Sequence, residues 1–365
     1  MRELSIVIPT RNREYTLIHL LESLLVDSFL DFEIVVCDNS NEPPNIIEKL
    51  IQDPRLKYHH SSKPLNMKEN CEYAISMASG EFICMLGDDD GLVLTEVDKV
   101  IRYLKKHRLD YALSSDATFY WPGLNRRLFG VRNYGFEAFY KLSQDWEKLD
   151  SKAELNNVVH GGACKIGHLP RLYQGIVRSS VIEKIKVKTG EVFNAPMPDM
   201  SSSVAIALYT RHGILSPKPF VINGVSGNSG GGKGAAGKHS GLIKDAYGLS
   251  QADKDTWPAE IPPVWSGGTV WAASAFLTLK KFGENSLAHK INTDAIAGYL
   301  VAFHPLLYIK HIGFREINFR AISIAIRFLG ARFISLFRNV SLYIRLACGF
   351  GVRANDIGAY VESKR

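Results

Sequence analysis

The 365-residue chain has few cysteines, no long apolar run and almost no charge imbalance outside one segment, and each scarcity excludes something. Its five cysteines, Cys37, Cys71, Cys84, Cys164 and Cys348, are odd in number, scattered and without any C-x-x-C spacing. That pattern excludes a disulfide scaffold and predicts reduced, buried thiols in a cytosolic compartment. No stretch reaches the roughly 18 uncharged apolar residues of a spanning helix, since the longest candidate, Thr269 to Leu279, is too short. The opening Met1-Arg2-Glu3, followed at once by Leu4-Ser5-Ile6-Val7-Ile8, lacks the basic region, long apolar region and cleavage site of a signal peptide. With 46% hydrophobic residues, disorder is excluded too.

The net charge of +7 is local. From Lys310 to Arg353 the chain carries Lys310, Arg315, Arg320, Arg327, Arg332, Arg338, Arg345 and Arg353 against Glu316 alone, which accounts for all of it. A basic balance spread over the chain would point to nucleic acid. One confined to an apolar, arginine-studded segment points to an anionic surface, and no base-stacking or groove-reading motif is present.

Along the first 120 residues, short apolar runs alternate with longer amphipathic ones, the order of a parallel sheet covered by helices. Leu4 to Ile8, Phe32 to Cys37, Leu56 to His59 and Phe82 to Leu86 read as strands; Glu14 to Val26, Pro44 to Ile51, Asn66 to Ala78 and Thr95 to His107 read as helices. Open sheets of this kind bind ligands beyond the carboxyl ends of their strands. There the first strand ends in Pro9-Thr10-Arg11-Asn12-Arg13, the second in Asp38-Asn39-Ser40, and the fourth in Gly87-Asp88-Asp89-Asp90. Three consecutive carboxylates repel and raise one another's pKa, a cost that a divalent cation relieves. An isolated Asp-Asp-Gly would read first as a turn and helix cap leading to the helix near Thr95. The arginines and Asp38 at the same edge favour a site for a metal and a nucleotide.

Four segments taken in order, Ser5 to Arg13, Glu33 to Ser40, Asn66 to Asn70 and Gly80 to Asp90, resemble the motifs of family 2 glycosyltransferases. The resemblance is close over about the first 110 residues and looser over the next hundred. It implies the GT-A fold, an α/β Rossmann-like and mostly parallel sheet flanked by helices, here with a C-terminal amphipathic helical extension. Pro9 and Thr10 match the loop along the nucleotide, with Arg11 and Arg13 near it. Asp38 matches the acidic residue that bonds the base, and Met67 and Asn70 the segment that closes over the nucleoside. The triplet matches the DxD element, in which one carboxylate meets the ribose and another holds Mg²⁺ or Mn²⁺. Many members carry Asp where this chain has Gly87. Asp88 toward the ribose and Asp90 on the metal is the favoured assignment, with Asp89 second for either role. Asp199, flanked by Pro196 and Pro198, resembles the catalytic base of inverting members; Glu191 is the reserve. Without the resemblance, Asp199 would read as the N-cap of a helix over Ser203 to Tyr209.

The implied organisation is a catalytic domain over 1–223, divided at 115 into a nucleotide-sugar half and an acceptor half. A Gly-rich stretch follows over 224–241, then a helical region over 242–365. In the Gly-rich stretch eight of eighteen residues are glycine, which predicts a mobile linker or a lid bringing Lys233, Lys238 and His239 to the diphosphate, His239 as a further metal ligand. Gly227 to Gly234 only approaches a P-loop, because Gly234 stands where Ser or Thr is required. Tyr120, Trp121, Tyr134, Phe136, Tyr140 and Trp146 form either a sugar-stacking platform or core. In the tail, Arg320, Arg327, Arg338 and Arg345 fall within about 20° of one another on a continuous helix, with Arg332 off the stripe and Gly330 a point of interruption.

Together these features predict a metal-dependent, inverting glycosyltransferase that moves a sugar from a nucleotide donor, a UDP-sugar in the first place, to a saccharide or lipid-linked acceptor in surface polysaccharide synthesis. It would sit on the cytoplasmic face of the cell membrane, held by its tail against anionic lipid. The rival readings are a nucleotidyltransferase, though the first loop has no glycine, and a catalytically silent membrane-associated scaffold of a glycan assembly complex.

Overall fold

The structure, a computed structural model, describes residues 2–362 except 27–29, 45–46, 123–134, 139–144, 228–239, 247–248, 314–317, 348–352 and 355. Lys233, Lys238, His239, Tyr134, Tyr140 and Cys348 lie outside the described residues, as do the side chains of Phe136, Arg338 and Arg345.

The strands are β1 (Leu4–Thr10), β2 (Phe32–Asp38), β3 (Leu56–His60), β4 (Phe82–Met85), β5 (Gly91–Leu92), β6 (Tyr111–Leu113), β7 (Thr118–Tyr120), β8 (Gly135–Ala138), β9 (Glu147–Asp150), β10 (Gly175–Arg178), β11 (His212–Leu215), β12 (Val221–Val225), β13 (Ser240–Leu242), β14 (Val264–Ser266) and β15 (Arg353–Ala354). The helices are α1 (Glu14–Leu25), α2 (Ile47–Leu50), α3 (Met67–Ser76), α4 (Leu94–His107), α5 (Ser151–His160), α6 (Ser179–Thr189), α7 (Pro198–Tyr209), α8 (Gln251–Asp255), α9 (Gly267–Lys281), α10 (Asn285–Ala288), α11 (Thr293–Phe303), α12 (Pro305–His311), α13 (Phe319–Ala347) and α14 (Ile357–Glu362). The four strands and four helices expected in the first 107 residues all form.

Eight strands make one mostly parallel sheet in the order β3-β2-β1-β4-β10-β6-β11-β9. Successive side chains of a strand point to opposite faces. Leu4, Ile6 and Ile8 therefore pack with α1 and α4 on one face, while Val7 packs with Cys71 and Ala74 of α3, Ile185 of α6 and Ala205 of α7 on the other. Burial on both faces explains why β2 reads as a continuous apolar run closed by an acid. The parallel register sets Thr10 beside Asp38 and Val7 beside Met85, so the residues after β4 run alongside the end of β1. Convergence of the polar segments is thus a result of register.

The downstream half departs from simple alternation. Strand β10 enters antiparallel between β4 and β6, and brings the segment before it against the end of β4, with Met85 N–H donating to Leu172 O at 2.9 Å and Gln174 N–H to Met85 O at 3.2 Å. A second sheet runs β15-β8-β7-β12-β5. Gly224 and Val225, expected in a mobile linker, are the end of β12, and Ser240 and Gly241 belong to β13. Another core joins Leu155 of α5 and Val204 of α7 with Ile261, Phe276, Ile296 and Tyr308, so the first helices past residue 242 share a core with the acceptor half.

Helix α13 continues through Gly330 without a break. It lies on α11, where a Cβ at Gly298 would come 2.9 Å from Ala321 O and from Ile324 Cβ; glycine there lets the two helices close. Ala321 and Ala325 face inward, and Arg332, the arginine off the stripe, covers the Phe303 ring at 5.5 Å. Beyond it the chain returns. Ile357, Tyr360 and Val361 are buried with Val93, Phe119, Trp121 and Ile222, directly under β5, a placement no sequence pattern announced.

Candidate active site

Each segment at the carboxyl edge is fixed by its own backbone chemistry. Asn12 is in the left-handed region at φ 54°, a conformation asparagine tolerates, and it ties the first loop to the second: its N–H donates to Ser40 Oγ at 2.7 Å and its Oδ1 accepts from Asn41 N at 3.0 Å. Pro9, half-buried in β1, leads into Thr10, whose carbonyl accepts from Asn70 Nδ2 at 3.1 Å. Arg11 is exposed and reaches Leu65 O at 3.4 Å. The buried Asp38 accepts from Ser40 N and Tyr58 OH, both at 2.7 Å. Met67 is half exposed and opens α3 behind a capping box formed by Asn66 and Glu69. Asn39, which the sequence did not single out, holds the segment ahead of α3 through Ser61 O, Lys63 O and Leu65 N.

The three aspartates are all buried, and each has a different partner. Asp88 accepts from Thr10 Oγ1 at 2.5 Å and from Arg13 Nη1 at 2.8 Å. Asp89 Oδ2 accepts from the N–H and Oγ of Ser226 at 3.1 and 2.6 Å, while its Oδ1 stands 3.6 Å from Arg13. Asp90 is turned into the protein, with Oδ2 on Gly87 N–H and Oδ1 on Gly224 N–H, both at 2.8 Å. Burial pushes Asp88 up to about 6 despite Arg13, and burial with the neighbouring Asp89 charge pushes Asp90 up to about 8.

Carboxylate oxygens with pKa values held up by burial and mutual repulsion are the hard donors that Mg²⁺ and Mn²⁺ prefer. Among the described residues no three such groups converge on one point. A cation that takes one or two of these carboxylates and completes its shell with substrate phosphates would fit this donor set. Asp89 Oδ1 is the least engaged of the six oxygens.

Across the site, Asp199 lies in the first turn of α7, which begins at Pro198, so the helix starts five residues earlier than expected and its N-cap is Met197. Asp199 Oδ2 accepts from Trp271 Nε1 at 3.1 Å and Oδ1 from Met200 N at 2.8 Å. Burial raises its pKa above the ordinary carboxylate value. Between the halves sits Tyr173, whose hydroxyl contacts Cys71 Sγ at 3.4 Å; burial, that thiol and the charges of Asp199 and Asp90 all hold its pKa well up. Glu72 of α3 accepts from Val192 and Phe193 N–H, and Lys68 pairs with Glu191 at 2.9 Å, which latches the nucleoside segment to the chain leading into Asp199. Tyr173, Trp271 and Glu72 were not legible locally, because each reaches the site through a tertiary contact.

Three of the aromatic residues that read as a platform or core have described side chains. Tyr120 and Trp121 are core, Trp121 Nε1 donating to Asp89 O at 2.8 Å, and Trp146 stacks on Tyr103 at 4.2 Å. His59 packs on Tyr73, His60 meets Ser40 O, and His160 meets Asn156 O within its own helix. The four described cysteines are free and buried, as expected.

Residues 5–155 match the family model described as Glycosyl transferase family 2. A GalNAc(5)-diNAcBac-PP-undecaprenol beta-1,3-glucosyltransferase of Campylobacter jejuni is 34% identical over 100 residues, 26% of this chain and 31% of that protein. The UDP-Glc:alpha-D-GlcNAc-diphosphoundecaprenol beta-1,3-glucosyltransferase WfaP of Escherichia coli is 29% identical over 119 residues, 32% of this chain and 46% of that one. The chain thus spans less than half the length of these relatives. Among solved structures, S. aureus TarS 1-349 has a TM-score of 0.46 at 16% identity, covering 84% of this chain and 87% of that one. The mannosyltransferase PcManGT of Pyrobaculum calidifontis in complex with GDP-Man and Mn²⁺ has a TM-score of 0.41 at 13% identity, covering 89% and 86%. The stretch that runs from β1 into α5 is thus the part of the chain that is similar to glycosyl transferase family 2.

Proposed function

We propose that the protein is a metal-dependent, inverting glycosyltransferase that moves a sugar from a UDP-sugar to a lipid-linked saccharide. The observation that carries this is the cluster of three buried aspartates beyond β4, beside the end of β1, with the buried Asp199 opening α7. The cluster suits a cation that neutralises an anionic leaving group, and Asp199 suits removal of a proton. Relatives that act on diphosphoundecaprenol-linked acceptors, one of them named for UDP-Glc, support the substrate class.

In this reading Asp199 takes the proton of an acceptor hydroxyl as its oxygen attacks C1 of the donor sugar, and the C1–O bond to the nucleoside diphosphate breaks on the opposite face. Bound Mg²⁺ or Mn²⁺ would neutralise charge on the departing diphosphate. Asp89, with its less engaged oxygen, is the better ligand in this geometry. Asp90, favoured by motif alignment, instead holds the main chain at Gly87 and Gly224. Arg13 and Thr10 set Asp88, Asp38 faces the base, and Pro9, Arg11, Met67 and Asn70 line the nucleoside. A thermal-shift screen with UDP, GDP, CMP and dTDP, each with and without Mn²⁺, should show the largest stabilisation by UDP with Mn²⁺. No nucleotide response with either metal state would overturn the proposal.

The tail supports the lipid-linked half of the reading. On α13, Phe319, Ile322, Ile326, Leu329 and Phe333 form an exposed apolar stripe at alternating spacings of three and four, with Phe319 90% and Phe333 60% exposed. Arg320 and Arg327 are exposed beside it, and the helix contains no acidic residue. Such a helix can lie in a membrane interface, each arginine near anionic headgroups adding about 1 kcal/mol. Among the described residues no helix is long and apolar enough to cross a membrane. The intact chain should pellet with phosphatidylglycerol vesicles, and Arg320→Glu with Phe333→Ser should stay in the supernatant; equal pelleting would refute the role of the helix.

A further inference from the structure

Beside the acidic loop the backbone asks for glycine at one position where the chain has glutamine. Gln174 is in the left-handed region at φ 60°, strained for a long side chain and easy for glycine. Outliers of this kind persist where the surrounding structure holds them, and they cluster at ligand sites. Because β10 runs antiparallel to β4, the residue just ahead of it lies at the carboxyl edge of the sheet, the edge that bears the Asp triplet. There the Gln174 N–H donates to Met85 O at 3.2 Å, and its carbonyl accepts from Ser114 N just past β6 at 3.4 Å. Its side chain crosses to the second sheet, where Nε2 donates to Asn223 Oδ1 at 2.6 Å. Asn223 directly precedes Gly224, whose N–H donates to Asp90 Oδ1 at 2.8 Å. The two amides are thus tied on one side to the strand that ends in the acidic loop and on the other to the strand that clamps it.

Both residues are half-buried, and among the described residues neither side chain has another hydrogen-bond partner. One carbonyl oxygen can still accept and the remaining amide N–H groups can still donate, whichever way the two amides are turned. A carboxamide sets an acceptor and a donor side by side, a pattern that meets neighbouring hydroxyls of a sugar ring, each able to do both. The pair carries no cation, so a sugar carboxylate would find no partner in it and would meet the repulsion of the acidic loop.

We propose that Gln174 and Asn223 bind hydroxyls of the sugar being transferred and so select a neutral sugar in the donor. This rests on the glycosyltransferase reading and deepens it. Strand order supplies the direction. Along β2-β1-β4-β10 the carboxyl edge presents Asp38, then Thr10, then the Asp triplet, then Gln174. That is the covalent order of the donor, from base through diphosphate to sugar. Both amides also lie outside residues 5–155, the stretch similar to the family, so the preference they impose is particular to this chain.

The test uses the full chain with Mn²⁺ and calorimetric binding of UDP, UDP-glucose, UDP-galactose, UDP-N-acetylglucosamine and UDP-glucuronic acid. The wild-type protein should bind one of the neutral sugar nucleotides more tightly than UDP-glucuronic acid. Gln174→Gly removes the amide and the backbone strain together; Asn223→Ala removes the other half of the pair. Each should lower affinity for the preferred sugar nucleotide by about tenfold and flatten the ranking across the panel, with UDP affinity unchanged. Gln174→Asn keeps an amide in a residue that tolerates the left-handed region, and should restore part of the ranking. Melting temperature separates recognition from support, because Gln174→Gly should melt at or above the wild-type temperature. A bond that merely joins β10 to β12 would lower that temperature and weaken UDP and sugar nucleotides alike, which would overturn the assignment. So would a ranking that survives both variants, or tightest binding of UDP-glucuronic acid. If the wild-type chain neither binds a uridine nucleotide nor turns one over, the glycosyltransferase reading itself fails, a result distinct from these.

Discussion

Asp199→Asn is expected to lower turnover by about 10²–10⁴-fold while UDP affinity stays close to wild type. The substitution keeps the size of the side chain and leaves an acceptor for Trp271 Nε1, so α7 and its contact with α9 should survive. What it removes is the proton acceptor. The pH profile separates this from a packing defect. Burial raises the Asp199 pKa, so its neutral form persists to higher pH than that of an ordinary carboxyl. Only the anion can serve as base, so wild-type turnover should fall as pH drops through that raised value, and the residual activity of the variant should lack this limb. Calorimetric UDP binding and initial rates on one preparation decide the matter, and turnover within a few-fold of wild type would sink the assignment.

Gly224→Ala is expected to cost about 3 kcal/mol of stability, the upper end for overpacking, and to abolish nucleotide binding. A Cβ there would fall 1.6 Å from Asp89 O, 2.3 Å from Asp89 C and 3.0 Å from Asp90 N, all main-chain atoms that no rotamer change can clear. Relief requires β12 to move off the acidic loop, which breaks the Gly224 N–H bond to Asp90 and, two residues on, the Ser226 clamp on Asp89. Gly227→Ala is the matched control, because none of the described residues lies within 4 Å of its added methyl. Thermal melts of the two variants, each with UDP and Mn²⁺, should differ sharply; equal melting temperatures and equal UDP responses would show that the loop is softer than this geometry implies.

The nucleotide half was legible because its information is local. Parallel strands in register bring their ends together whatever lies between them, so Thr10, Asp38 and the Asp triplet could be placed at one edge from apolar runs and turn residues alone. The acceptor half was not. Strand β10 has only four residues and pairs antiparallel, and it carries Arg171 and Tyr173 to β4 across some ninety positions. Trp271 reaches Asp199 from 72 residues away. Composition actively misled at Gly224, where a glycine-rich stretch reads as linker, yet the residue is glycine because the acidic loop occupies the space of a side chain. Motif alignment, which favours Asp90 for a metal, carries no sign that its oxygens accept from two main-chain N–H groups.

Helix α14 gives the chain an order of completion. A Cβ at Gly91, the residue after Asp90, would meet Ile357 and Val361 within 3 Å, so the underside of the acidic loop is sealed by residues more than 260 positions downstream. A ribosome that has finished α13 has still not made that seal. On the proposed function, a polypeptide cut short after α13 would carry the arginine-studded helix while the loop above β5 still lacks its floor. The helix proposed to meet lipid and the loop proposed to meet the donor are thus completed at different points of the same translation run.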